Sequence, residues 1–220
     1  MLTFEDIRND ENIRTLIKRA DESLITLGYT EHSFSHVGRV AETAGYILQT
    51  LRYPERDCEL VQIAGWLHDI GNLVNRIDHA QSGAVMAFQL LSNYPQADIG
   101  EIATIVAAIG NHDESTAVAV NHIAAALIIG DKTDVRRSRV RNNDKTTFDI
   151  HDRVNYSVNQ SVVRINEDKT LIELSLTIDT VYCSIMDYFE IFLGRMILCR
   201  KAAETLGLEF RLDMNNQHMI

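Results

Sequence analysis

Leu67-His68-Asp69-Ile70-Gly71 sets a histidine and a carboxylate side by side at the end of an apolar-periodic stretch running over 57–69. The periodicity predicts a helix there. Gly71 is expected to end it in the left-handed conformation, so that both polar side chains sit at a fixed corner and not on a mobile loop. Taken alone the pair has a second reading, because a histidine donating to its neighbouring carboxylate needs no ligand. The text on either side decides between the two.

Upstream, Val37, Val40, Ala41, Ala44, Leu48 and Leu51 recur at three- and four-residue intervals, the stripe of a helix that faces a core. Further helical stretches are read over 11–27, 79–92, 98–111 and 120–137, punctuated by Leu27-Gly28-Tyr29-Thr30 and Tyr53-Pro54. After Arg141 the pattern changes. Ser161-Val162-Val163-Arg164-Ile165 and Thr170 to Leu176 are β-branched and alternating, with Asn166-Glu167-Asp168-Lys169 between them, which predicts a hairpin. A long amphipathic helix over about 180–206 follows, and Leu208 to Leu212 alternates as a strand would. The expected fold class is mostly α. A helical bundle over 1–144 is followed by 145–220, an antiparallel β-hairpin or three-stranded sheet with a long helix, packed on the helical body. There is no internal repeat or low-complexity segment.

The 220 residues suffice for one large core, and only Pro54 and Pro95 interrupt the helix-friendly text. A formal net charge of -10 repels a polyanion and argues against general nucleic-acid binding. No apolar run is long enough for a bilayer and the start lacks a basic-then-apolar leader, so a cytoplasmic protein without membrane contact is expected. Cys58, Cys183 and Cys199 lack paired spacing and read as packing residues.

Ligand-type residues fall near the ends of several predicted helices. His36 lies one turn before Val40 on the inward stripe, and Asp131 follows Leu127 by one turn on the apolar run Ala124 to Gly130. An unpaired buried aspartate is costly, so Asp131 requires a cation or an Arg or Lys partner. His36, His68, Asp69 and Asp131 together offer two imidazoles and two carboxylates, a set suited to Zn, Mn, Fe, Co or Ni.

This order, a helix histidine, a His-Asp doublet and a distant aspartate, resembles the HD superfamily of metal-dependent phosphohydrolases over roughly residues 30–140. His79 before Gly83-Ala84, and Asn111-His112-Asp113-Glu114, match the subset that carries two metals. The resemblance implies an HD-type helical bundle in which Asp69 bridges two divalent ions. His36, His68 and Asp131 would complete the first, and His79 and His112 would hold the second. Two departures limit it. Several two-metal relatives have consecutive histidines where Asn111-His112 stands, which leaves one ligand position to water or substrate. Asn72 occupies a position where a lysine often follows the doublet.

A replacement for that lysine is sought in Asp131-Lys132-Thr133-Asp134-Val135-Arg136. If the helix continues, Lys132, Arg136 and Arg139 share a face that could receive a phosphate, the alternative being a solvated basic stripe. His32, four residues before His36, is a weaker candidate as an acid for the leaving group, unless Thr30 or Ser33 caps the helix and leaves it outside. His122, His151 and His218 have no matching role.

Two divalent ions can share a water and lower its pKa to about 7, which suits a chain with no glycine-rich phosphate loop, no Gly-x-Ser-x-Gly elbow and no plausible Cys-His pair. The expected activity is hydrolysis of a phosphomonoester or phosphodiester of a nucleotide or similar small molecule by a metal-bridging hydroxide. Asp69 would sit between the ions and Lys132 and Arg136 at the phosphate. The same ligand order also occurs in HD-type di-iron oxygenases. A third alternative is a non-catalytic nucleotide sensor, with the hairpin and long helix as a partner or homodimer surface; Ile185, Phe189, Phe192, Met196 and Cys199 of that helix serve equally well as intramolecular core.

Overall fold

Two helices, α1 (Phe4–Asn9) and α2 (Glu11–Thr26), open the chain in the computed structural model, which describes residues 1–219. Asp10 caps α2 by accepting from the backbone N–H groups of Asn12 and Ile13. Ser33 caps α3 (Phe34–Thr50) and leaves His32 outside the helix. The expected stripe is buried: Val37, Val40, Ala41, Ala44 and Leu48 face the core. α4 (Glu55–Leu67) crosses α3 closely, because Gly65 lies against Ala41; a Cβ there would stand 2.8 Å from the Ala41 backbone.

A 3-10 turn (Ile70–Leu73) leads to α5 (His79–Leu91), α6 (Ile99–Gly110) and α7 (His122–Lys132). α7 is the central helix, with every residue from Ile123 to Gly130 buried. A helix apolar on all sides belongs inside, and Ile123, Leu127, Ile128 and Ile129 each contribute roughly 1.5–3 kcal/mol of burial. It stops earlier than its periodicity suggests. The Thr133 hydroxyl donates to the Ile129 carbonyl at 2.7 Å, and the chain turns outward before the 3-10 turn Arg137–Arg139.

The short helix α8 (Ile150–Ser157) runs into a four-stranded sheet, β1 (Val158–Ile165), β2 (Leu171–Ile178), β3 (Glu209–Met214) and β4 (Gln217–His218), in that spatial order. The β1/β2 hairpin is antiparallel as expected, its turn held by the Asn166 side chain accepting from Thr170 and Leu171 N–H. β3 enters parallel to β2, since the intervening helix α9 (Ile185–Thr205) carries the chain back to the start of the sheet. The fold is mostly α with this small sheet, not all-α. On α9, Phe192, Met196 and Cys199 are buried while Ile185 and Phe189 pack at the edge, which is the intramolecular use of that face. Buried apolar residues of the helical body and of β2, α9 and β3 form one continuous cluster. Among the described residues no helix is long and apolar enough to cross a membrane.

Candidate metal centre

His68 closes α4, and Asp69 follows in the bridge region of backbone space (φ -97°, ψ 0°), where the chain turns sharply. Gly71 does not take the left-handed conformation expected of it, since the glycines with positive φ are Gly28 and Gly207. It is needed for a close approach. A Cβ at Gly71 would lie 1.9 Å from the His79 carbonyl oxygen and 2.5 Å from Gly83 N, so the start of α5 seats directly on the turn that carries Asp69. That contact brings His79 Nε2 to 3.5 Å from Asp69 Oδ1.

The other candidate ligands arrive from three directions. His36 comes from the first turn of α3, Asp131 from the last turn of α7, and His112 from the loop just past α6. His36 Nε2 stands 3.4 Å from both Asp69 Oδ2 and Asp131 Oδ1, and His68 Nε2 is 3.2 Å from Asp69 Oδ2 and 3.8 Å from Asp131 Oδ1. Three overlapping triads result: His36, His68 and Asp69; His68, His112 and Asp131; and Asp69, His79 and His112. Donors about 2.0–2.2 Å from one cation stand about 3–4 Å apart, which is the spacing seen here.

The rings are held by Nδ1, which leaves Nε2 over in His36, His68 and His112 and turns that of His79 toward Arg76 Nη1 at 3.4 Å. His36 Nδ1 donates to Asp134 Oδ2 (2.8 Å), His68 Nδ1 to Gly65 O (2.8 Å), His79 Nδ1 to Arg76 O (3.0 Å) and His112 Nδ1 to Ile109 O (2.6 Å). Each bond to an acceptor fixes the proton on Nδ1 and presents the Nε2 lone pair, the second-sphere arrangement of metal-bound histidines. His36 Nε2, His68 Nε2, His112 Nε2 and Asp69 Oδ2 are buried without any hydrogen-bond partner. Orphaned buried groups of this kind are costly, and a divalent cation satisfies all of them together. Four imidazoles and two carboxylates suit a borderline cation such as Zn, Mn, Fe, Co or Ni.

The electrostatics agree. Burial and Arg139 pull the His36 imidazole down, yet Asp131, Asp134 and Asp69 outweigh them and push it up to about 10. Burial works against ionisation of Asp69 and Asp131 too, but His68 and His36 beside the former, and Lys132 and His36 beside the latter, hold both well below the usual carboxylate range. His112, buried and facing His68 and Lys132, is driven down to about 3 and stays neutral. Both carboxylates of the cluster therefore stay ionised.

Asp69, His79 and Asp131 form the floor of a cavity of about 470 Å³, with His36, His68 and His112 fully buried beneath them. Lys132 is buried on its wall, donating from Nζ to Asp131 Oδ2 at 2.6 Å. Arg136 is elsewhere: because α7 ends at Lys132, its guanidinium turns away to Asp134 Oδ1 and Glu31 Oε2, both at 2.9 Å, and lines a separate pocket behind the site. Arg139 does reach the cavity, while bonded to the carbonyls of Asp134 and Glu31. Asn72 is committed to Asp69, with Nδ2 donating to Oδ1 at 2.9 Å. His32 lines the cavity with its ring edge-on to His36, and Nδ1 donates to Thr30 O at 2.7 Å. Burial and Arg139 hold it well below its ordinary value, which favours the neutral ring.

Two contributors, Asp134 and Arg76, escaped the sequence reading. Asp134 positions His36, and its spacing from Asp131, three residues on, was the available signal. Arg76 comes to the cavity, its Nη1 3.4 Å from His79 Nε2 and its guanidinium 5.5 Å over the Tyr29 ring. The polar stretch Asp149 to Asp152 at the start of α8 supplies part of the wall, His151 included. His122 is paired with Asp57 and stacked on Tyr53, and His218 is exposed beside Asp213.

The HD domain family model matches residues 33–159, the segment that carries every residue of the floor. An uncharacterized protein of Methanocaldococcus jannaschii is 24% identical over 193 residues, covering 77% of this chain and 74% of its own. The crystal structure of a predicted HD superfamily hydrolase from an uncultured Thermotogales bacterium is similar at 26% identity and a TM-score of 0.44, over 57% of this chain and 67% of that one.

Proposed function

Since the chain belongs to the HD-domain family, its match spanning more than half of the sequence, we propose that it is a metal-dependent phosphohydrolase acting on a phosphomonoester or phosphodiester of a nucleotide or similar small molecule. The carrying observation is that imidazole nitrogens of His36, His68 and His112 and one oxygen of Asp69 are buried without partners, clustered with His79 and Asp131 at a cavity whose lining bears Lys132, Arg76 and Arg139. Lys132, Arg76, Arg139 and Arg195 stand among the carboxylates of the lining and give an anionic substrate positive groups to meet in a chain of net charge -10.

Two divalent cations held there by His36, His68, Asp69, Asp131, His79 and His112 would supply an activated water and neutralise charge on phosphoryl oxygens. The residues around them do the rest. Asp69 offers one carboxylate oxygen toward His36 and His68 and the other toward His79, which suits it to join two sites. Lys132 and Arg76 present N–H groups to the space above the floor, where a phosphate would accept from them as charge builds. Neutral His32, with Nδ1 committed to Thr30, keeps Nε2 as an acceptor for a water proton. A cavity of about 470 Å³ is large enough for a nucleotide-sized ligand.

The test is a screen of protein loaded with manganese, cobalt or iron against nucleotides and generic phosphoesters, with oxygen consumption followed in parallel. Phosphate release without oxygen uptake supports the proposal. A fully loaded protein that turns over none of them, or that consumes oxygen, contradicts it.

A further inference from the structure

The departure at Asn111 leaves the second cation with two histidines and a shared aspartate, and the structure shows what stands next to the gap. Asn111 itself is turned away, its Nδ2 donating back to the Ala107 carbonyl at 2.9 Å as the C-cap of α6. On the other side of His112, Asp113 lines the cavity with Oδ1 3.8 Å from His79 Nε2. Its Oδ2 accepts from Ser115 N–H at 3.3 Å and from the Ser115 hydroxyl at 2.5 Å, which orients the carboxylate and leaves Oδ1 uncommitted. His112 Nε2 is fully buried and unpartnered, and it groups with Asp69 and with His79, the histidine that Asp113 Oδ1 faces.

Resting on the two-cation reading of the site, we propose that Asp113 is the missing ligand of the second cation, giving it His79, His112, Asp69 and Asp113. The 3.8 Å between Asp113 Oδ1 and His79 Nε2 falls within the spacing of two donors on one ion. The loop that carries Asp113 is anchored from the far end of the chain. Glu114 is ion-paired with Arg195 of α9, whose guanidinium lies 4.3 Å over the Phe192 ring. The C-terminal helix thereby holds a metal-ligand loop in place. A second site with two carboxylates is harder than one with three imidazoles and favours manganese or iron over zinc.

Chelator-treated full-length protein titrated with Mn²⁺, followed by calorimetry and by the manganese paramagnetic resonance signal, tests this. Wild-type protein is expected to bind two equivalents with a spin-coupled signal. Asp113→Ala should weaken the second equivalent at least about tenfold and leave an isolated-ion signal, with the first equivalent unchanged. Asp113→His, which restores a donor, should recover the second equivalent. Both equivalents binding to Asp113→Ala with wild-type affinity and coupling would overturn the assignment while leaving the two-cation site standing. A single equivalent on the wild type would overturn the two-cation reading and this inference with it.

Discussion

His36 donates from Nδ1 to Asp134 Oδ2 at 2.8 Å while its Nε2 stands 3.4 Å from both Asp69 and Asp131. One ring therefore links a carboxylate behind the site to the two in front of it, and Asp134 is itself held by Arg136. Removing the charge at Asp134 frees the ring to rotate or change tautomer. Asp134→Asn should weaken metal binding about 10- to 100-fold in competition with a chelator, while circular dichroism stays native.

The metal-free protein should have a stability maximum near pH 6.5. His36 is raised from 6.5 to about 10, so its contribution is complete below pH 6.5 and is lost as pH rises toward 10. His112 is lowered from 6.5 to about 3, so its contribution is complete above pH 6.5 and is lost as pH falls toward 3. Saturating metal replaces the His36 proton and should flatten the alkaline arm. Thermal midpoints of chelated and loaded protein from pH 4 to pH 10 check this, and an unchanged alkaline slope on loading would count against it.

Gly71 and Gly194 should respond oppositely to alanine. At Gly71 the added Cβ meets backbone at 1.9 Å, which displaces the start of α5 and costs about 3 kcal/mol or more. At Gly194, on the outer face of α9 with nothing within 4 Å, Gly194→Ala should stabilise by roughly 0.5–1 kcal/mol. Denaturant midpoints of the two variants give the answer directly.

Lys132 and Arg136 should separate in kinetics. Lys132 lies on the cavity wall, so Lys132→Met should lower kcat/KM about a hundredfold toward phosphoesters with metal content retained. Arg136 is spent on Glu31 and Asp134, so Arg136→Gln should act mainly on stability. A larger kinetic loss at Arg136 than at Lys132 would reverse this assignment.

The cluster was legible because four of its members, His36, His68, Asp69 and Asp131, sit where apolar periodicity runs out, and periodicity is a local property of the text. Arg136 was misplaced because α7 stops at Lys132 with no breaker residue to mark the end. Gly71 was recognised as necessary for the wrong reason: backbone crowding against Gly83 is a tertiary relation, invisible in the five-residue motif. The same holds for Arg76, which reaches the cavity along a loop path that no spacing encodes. The hairpin was legible from alternation, whereas the parallel entry of β3 follows from the crossover through α9.

The most direct measurement is elemental analysis of protein purified without chelator or histidine tag, beside the same analysis of Asp69→Asn. The account predicts about two equivalents of iron, manganese, zinc or a similar divalent metal per chain, and loss of both in the variant, since Asp69 faces both halves of the cluster. A wild-type chain that retains no metal under saturating supply, or an Asp69→Asn chain that still holds two equivalents, would contradict it.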